Sequence, residues 1–213
     1  SGTISAQGEA SISSNGFSGT ADVVMTGGEL SMAEKKISVS GVDATLRFPE
    51  LPRIRSGPAQ PIRFARAAMG GLVVDGGMFD VQVESENTLF IEKGRLQWCG
   101  GKLDSQALRI TAGKQDYNVS LYCQRLELSR ILEQLGSVNA RGNGTLNGRI
   151  PVAFSNGRIR FDDGFLFSTP GEGGQIQLTG TEVLTRGIPA GTPQFAQVEL
   201  AQAALKDYTY CLL

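Results

Sequence analysis

Gly142-Asn-Gly-Thr-Leu-Asn-Gly148 has the glycine density of a loop that cradles phosphate. A dinucleotide or phosphate loop must open a helix whose N-terminus faces the anion. Here a Leu-rich helical pattern precedes the glycines, and the strand-like Arg149-Ile-Pro-Val-Ala-Phe154 follows them. Spacing and context both fail, and no Gly-Lys-Ser/Thr occurs, so the glycines are read as serving a twisted strand or bulge beside the helix. Phe161-Asp-Asp-Gly164 offers carboxylate oxygens but too few for a calcium loop, and reads as a hairpin turn. Glu84, Glu86 and Glu92 could act as general acids or bases only if they converged, and otherwise read as solvated strand residues. Asn118-Val-Ser120 and Asn143-Gly-Thr145 match the glycosylation sequon, a frequent chance pattern.

The chain of 213 residues contains no histidine. This removes the commonest general base and metal ligand together, and with them every Ser-His-Asp or Cys-His enzyme confined to this chain. Neither a catalytic site nor a metal nor a cofactor is expected. Cys99, Cys123 and Cys211 lack C-x-x-C spacing. A Cys99–Cys123 bridge in an oxidising compartment is one reading, and small buried apolar side chains is the favoured one. Twenty basic against twenty-one acidic residues leave no excess charge for phosphate neutralisation, which argues against a nucleic-acid partner. No apolar run approaches the ~20 residues of a membrane helix, and no signal peptide is evident.

The elements that position these residues are read from periodicity. Apolar or small residues alternate with polar ones from Thr3 to Ile12, again through Ala21, Val23 and Met25, and most cleanly at Val42, Ala44, Leu46 and Phe48. Thr26-Gly-Gly28 should end the second run, and the prolines of Pro49–Pro61 should interrupt ladder pairing and mark a possible sub-boundary. Further strands follow near residues 62–66, 71–75, 78–84, 88–93, 95–99, 102–111 and 117–126, joined by short Gly-rich links that imply an antiparallel meander. Leu128, Ile131, Leu132 and Leu135 fall at i, i+3, i+4, i+7, predicting one amphipathic helix with Gly136 at its C-cap. Strands return at 144–154, 158–161, 165–168, 175–178 and 195–200. The expected fold is mainly β, an antiparallel sheet with one short helix.

The run Leu126–Leu166, LELSRILEQLGSVNARGNGTLNGRIPVAFSNGRIRFDDGFL, resembles the AsmA-like proteins of Gram-negative envelopes, and most of all their YdbH-like branch. The shared pattern is a short Leu-rich helix, a G-x-G-x-L-x-G strand, a Pro-Val strand and a hairpin closing on Asp-Gly. Thr88–Ile110 looks similar to the same branch. The resemblance implies a long, twisted, U-shaped sheet, a β-groove, and makes residues 1–213 one fragment of a longer periplasmic protein anchored in the inner membrane. It implies a hydrophobic groove that carries phospholipid acyl chains between inner and outer membranes, with inner- and outer-membrane proteins as partners, and no enzymatic activity.

Within that expectation, strand parity nominates the lining: Val42, Ala44, Leu46, Phe48, Val119, Leu121, Ile150, Val152, Phe154, Ile176 and Leu178. Assignment by parity fails past any bulge. Two rivals remain open at this point: a ligand-free structural or scaffolding β domain with a closed core, and a carboxylate enzyme on a β scaffold, which needs two converging carboxylates.

Overall fold

The computed structural model describes residues 1–14, 16–33, 36–135, 140–155, 158–168, 171–178 and 208–210. The expected strand at 195–200 and the cap at Gly136 lie outside them. Strands β1 (Thr3–Ser13), β2 (Gly16–Met32), β3 (Ile37–Leu51), β4 (Gln60–Phe64), β7 (Gly77–Ser85), β8 (Thr88–Trp98), β9 (Gly101–Ser105), β11 (Tyr117–Glu127), β13 (Thr145–Ser155) and β14 (Arg158–Phe161) follow one another across a fourteen-stranded antiparallel sheet. Its branches are β5 (Arg66–Met69) on β3, β6 (Leu72–Val74) on β5, β10 (Leu108–Thr111) on β8 and β15 (Phe165–Ser168) on β13. A three-stranded sheet pairs β12 (Ala140–Gly142), β16 (Gly174–Leu178) and β17 (Tyr208–Tyr210). The large sheet does not close on itself.

Several expectations are corrected. Gly27 and Gly28 do not end a strand: β2 runs through them as a bulge, with Gly27 at φ 61 and the register shifted on either side of Gly28. β3 likewise continues through Pro49 to Leu51, so the proline-rich segment leaves the sheet only at Pro52. Pro61 sits within β4, opposite Asp80. Between them, Ser56 is buried against β7: its N–H donates to the Val83 carbonyl (2.9 Å) and its Oγ accepts from Val83 N–H (2.8 Å). Asp162-Asp-Gly164 is no hairpin turn. β14 and β15 both pair antiparallel with β13, one along Val152–Ser155 and the other along Leu146–Arg149, so they are two pieces of a single edge strand interrupted at Asp-Asp-Gly.

The helix α1 (Leu128–Leu135) begins with the first residue of the apolar pattern, Leu128, because Leu126 and Glu127 still pair with Leu146 and Thr145. Its first N–H, on Leu128, donates to the Gly144 carbonyl (3.1 Å). Leu128 and Ile131 are buried in a core with Cys99, Leu103, Cys123, Leu126 and Leu146, and Leu132 packs at its margin. On its far side, Gln134 substitutes for a strand: its Oε1 accepts from Val73 N–H (2.9 Å) and from the Trp98 indole N–H (3.1 Å), and its Nε2 donates to the Val73 carbonyl (3.0 Å). Gln134→Ala leaves these part-buried donors unmatched and should cost about 2 kcal/mol. For a chain of this size that is a fall in Tm of roughly 4–8 °C, read by thermal melting.

Candidate lipid trough

Directly opposed residues in a sheet point to the same face, so register alone traces its two surfaces. One row crosses nine strands as Ile4, Met25, Ala44, Ile62, Phe79, Gly94, Ser105, Leu121 and Ile150, apolar or small throughout. The row beside it, on the opposite face, reads Asp43, Arg63, Met78, Arg95, Asp104, Tyr122, Arg149 and Phe165. The second face carries ion pairs, among them Arg95–Asp80 (2.7 Å). One side of the sheet is built for hydrocarbon and the other for water.

Four bulges keep the apolar side continuous. In β3, Ile37 and Val39 are followed by Gly41 at φ 65, and parity then passes to Val42, Ala44, Leu46 and Phe48. In β8, Leu89 and Ile91 give way to Gly94, Leu96 and Trp98 across an irregularity where Lys93 opposes Asp80 and Ile91 opposes Val81. In β11, Val119, Leu121 and Cys123 hand over to Leu126 across Arg125, whose φ is 53 and whose N–H donates to Asn147 Oδ1 (3.0 Å). The bulge in β2 at Gly27–Gly28 faces the one in β3. Each extra residue reverses the alternation and re-aims the next side chain into the same concavity.

The sheet curls about this face. A Cβ on Gly94 would lie 2.8 Å from the Phe79 ring and 2.4 Å from Ser105 Oγ, and one on Gly77 would lie 2.6 Å from Leu96 and 2.7 Å from Phe64. Each phenylalanine therefore folds over the glycine opposite it, and the two rings stack at 6.0 Å. The curl brings distant strands together around a cavity of about 300 Å³. One wall is Ile37 and Val39 of β3 with Ala67 and Met69 of β5 and Leu72 and Val74 of β6. The facing wall is Leu121, Ile150 and Val152 with Ile159 and Phe161 of β14. Leu96, Trp98 and Leu103 lie between them, and the core beneath α1 abuts that end. Every lining side chain is apolar but for the Trp98 indole N–H, which Gln134 occupies.

Of the eleven residues nominated from sequence, Leu121, Ile150 and Val152 line this cavity. Val119 opposes Val152, and Phe154 opposes Ile159, on the same face. Val42, Ala44, Leu46 and Phe48 are half-buried on that face further along β3, opposite Gly28, Met25, Val23 and Ala21, outside the cavity itself. Ile176 and Leu178 fall on β16, in the three-stranded sheet rather than the trough sheet. Periodicity missed the wall of β3, β5 and β6. Alternation at Ile37 and Val39 was visible, but nothing local placed it opposite β13.

Two of the three carboxylates that could have done chemistry are otherwise engaged. Glu84 makes a two-pronged bond with Arg109 (2.8 and 3.0 Å), and that hydrogen bond holds its carboxyl below the ordinary carboxylate range, the reverse of what a general acid needs. Glu92 accepts from Ala59 N–H (2.8 Å). Among the described residues no three His, Cys, Asp or Glu come together as a metal site. The glycine run is absorbed by the fold: Gly144 meets the helix start, Asn143 bridges to Gln175 of β16, and the run leads into strand β13. Cys99 and Cys123 are free and buried, not bridged, and burial pushes both thiols up to about 11. Neither should react with iodoacetamide at pH 8 in the folded protein, and both should do so in denaturant, as peptide mapping by mass spectrometry would show.

An open antiparallel sheet with one apolar concave face defines a β-groove. The sequence model of the YdbH-like family, described as intermembrane phospholipid transport protein YdbH, matches residues 1–207, and the chain belongs to that family. This is a lipid-transport family, not a known enzyme family. No curated protein and no solved structure matches the chain. Among the described residues no helix is long and apolar enough to cross a membrane.

Proposed function

We propose that this chain forms a length of trough along which phospholipids pass between the inner and outer membranes of a Gram-negative bacterium, in the periplasm, within a longer protein anchored in the inner membrane. Acyl chains lie against the apolar face and head groups ride at the wet rim. The observation that carries the reading is the cavity between β3–β5–β6 and β13–β14, whose lining offers hydrocarbon and no free polar group. Its volume falls at the small end of the ~300–1,000 Å³ typical of small-ligand pockets, which suits part of one chain and not a whole lipid. Each methylene gains ~0.8 kcal/mol on leaving water. As the lipid advances, one such contact replaces another, so a lining without polar anchors holds the chain without trapping it.

Benzoylphenylalanine placed at Val39 or at Val152, on facing walls, should give phospholipid adducts on irradiation in cells. The same probe at Arg63, on the outer face, should give none. Absence of adducts from both walls in a folded protein would instead leave the domain as a ligand-free scaffold.

A further inference from the structure

The trough cavity and the core beneath α1 share a wall. Leu103 lines the cavity yet is buried within that core, and Leu96, Trp98, Leu121 and Ile150 face the cavity while packing against the same core. Leu103 opposes Leu96 on one side and Cys123 on the other, so the apolar row runs from the cavity into the core. There Leu128 and Ile131 of α1 are buried with Cys123 and Leu146, where an acyl chain would otherwise continue. Gln134 fastens this closure, because it joins α1 both to Val73 of β6 and to the Trp98 indole.

The dimensions fix what enters. A methylene takes up about the volume of a water molecule in the liquid, ~30 Å³, so roughly ten of them fill the cavity of about 300 Å³. A polar group has no place there: among the lining side chains only the Trp98 indole carries an N–H or O–H, and Gln134 already accepts its hydrogen. A head group carried inside would lose its hydration with no hydrogen bond in return. We propose that the cavity is a blind pocket for the last roughly ten carbons of a single acyl chain, entered methyl end first. The head group and any second chain stay outside, on the open strands of the trough.

The pocket rests on the trough reading and adds a limit to it. Each methylene that finds room should tighten binding about four-fold, and each one beyond the end wall should add nothing. Trp98 is the chain's one tryptophan and stands in that wall, so its fluorescence reports on the pocket directly.

Alkylphosphocholines of six to eighteen carbons, titrated into the purified 213-residue chain below their micelle concentrations, supply the test series. Affinity read from Trp98 fluorescence should rise about four-fold per carbon up to roughly ten carbons and then level off. A rise that continues to sixteen carbons would overturn the blind end and leave the trough reading standing. No response at any length would overturn both. Orientation is read with twelve-carbon chains carrying bromine, which quenches indole emission. Bromine on the terminal carbon should quench Trp98 strongly, and bromine beside the phosphate weakly. The reverse order would refute entry by the methyl end. Two variants then move the walls. Ala67→Leu adds three carbons to the lining and should bring the plateau down to about seven carbons. Leu103→Ala removes three from the end wall and should raise it to about thirteen. Leu103→Ala also cuts into the core, so Ala67→Leu, which fills open space, decides if that variant does not fold. A plateau unmoved in Ala67→Leu would show that the chain binds elsewhere.

Discussion

Leu121→Asp should reduce the phospholipid bound to the purified protein by roughly 30–150-fold, while the chain stays folded. Leu121 lies in the cavity wall opposite Ile150 and is half-buried at the margin of the core beneath α1, not within it. An aspartate there puts a charge where an acyl chain must shed water, at a cost of about 2–3 kcal/mol to the lipid complex. In the empty protein the cavity is open, so the carboxylate can keep its hydration, and the fold loses little beyond one partly packed leucine. The next residue supplies the control. Tyr122 lies on the outer face between Asp104 and Arg149 and is 41% exposed, so Tyr122→Asp should leave lipid content unchanged. The measurement is lipid mass spectrometry of both variants with circular dichroism alongside. Equal loss from both would show that the two faces do not differ in function, and unfolding of Leu121→Asp alone would place Leu121 in a sealed core.

Gly148→Ala should lower stability by about 3 kcal/mol, a Tm shift of roughly 6–12 °C at this chain length. Gly148 is the last glycine of the run that resembles a phosphate loop. Its φ of 147 disfavours any side chain, and a Cβ would stand 2.1 Å from the Phe165 carbonyl oxygen. That oxygen belongs to β15, so the methyl forces β15 off β13 and opens the wall at its edge. Gly113→Ala separates the two costs: φ is 82 there, but nothing lies within 4 Å. It should lose only the backbone component, about 1 kcal/mol. If both variants melt alike, the close approach of β15 contributes nothing.

The strands were legible because each records its own burial at period two, and β11 and β13 show how far that goes. Val119 and Leu121, and Ile150 and Val152, are correctly sorted to one face by alternation alone. The same rule, applied across Gly27–Gly28, ends a strand that in fact continues, since a glycine pair that terminates one strand bulges another and the partner strand decides which. Gly28 opposes Val42 next to the Gly41 bulge, and the two irregularities accommodate one another. Asp162-Asp-Gly164 fails for a related reason. The tripeptide has the chemistry of a turn, but both flanking segments lie along β13, and only the ladder reveals that the chain does not reverse.

By itself the sequence determined the mainly β character, the amphipathic helix at Leu128–Leu135, the absence of histidine chemistry and the family signature at residues 126–166. These are local properties, set by period, residue type and short motifs. The tertiary structure decided which runs share a face and which walls meet. Val39 and Val152 line one cavity because several bulges correct the parity between them and because Phe64 and Phe79 fold over Gly77 and Gly94 to curl the sheet. Curvature accumulates over many strands, each contributing a small angle, and no window of sequence contains that sum.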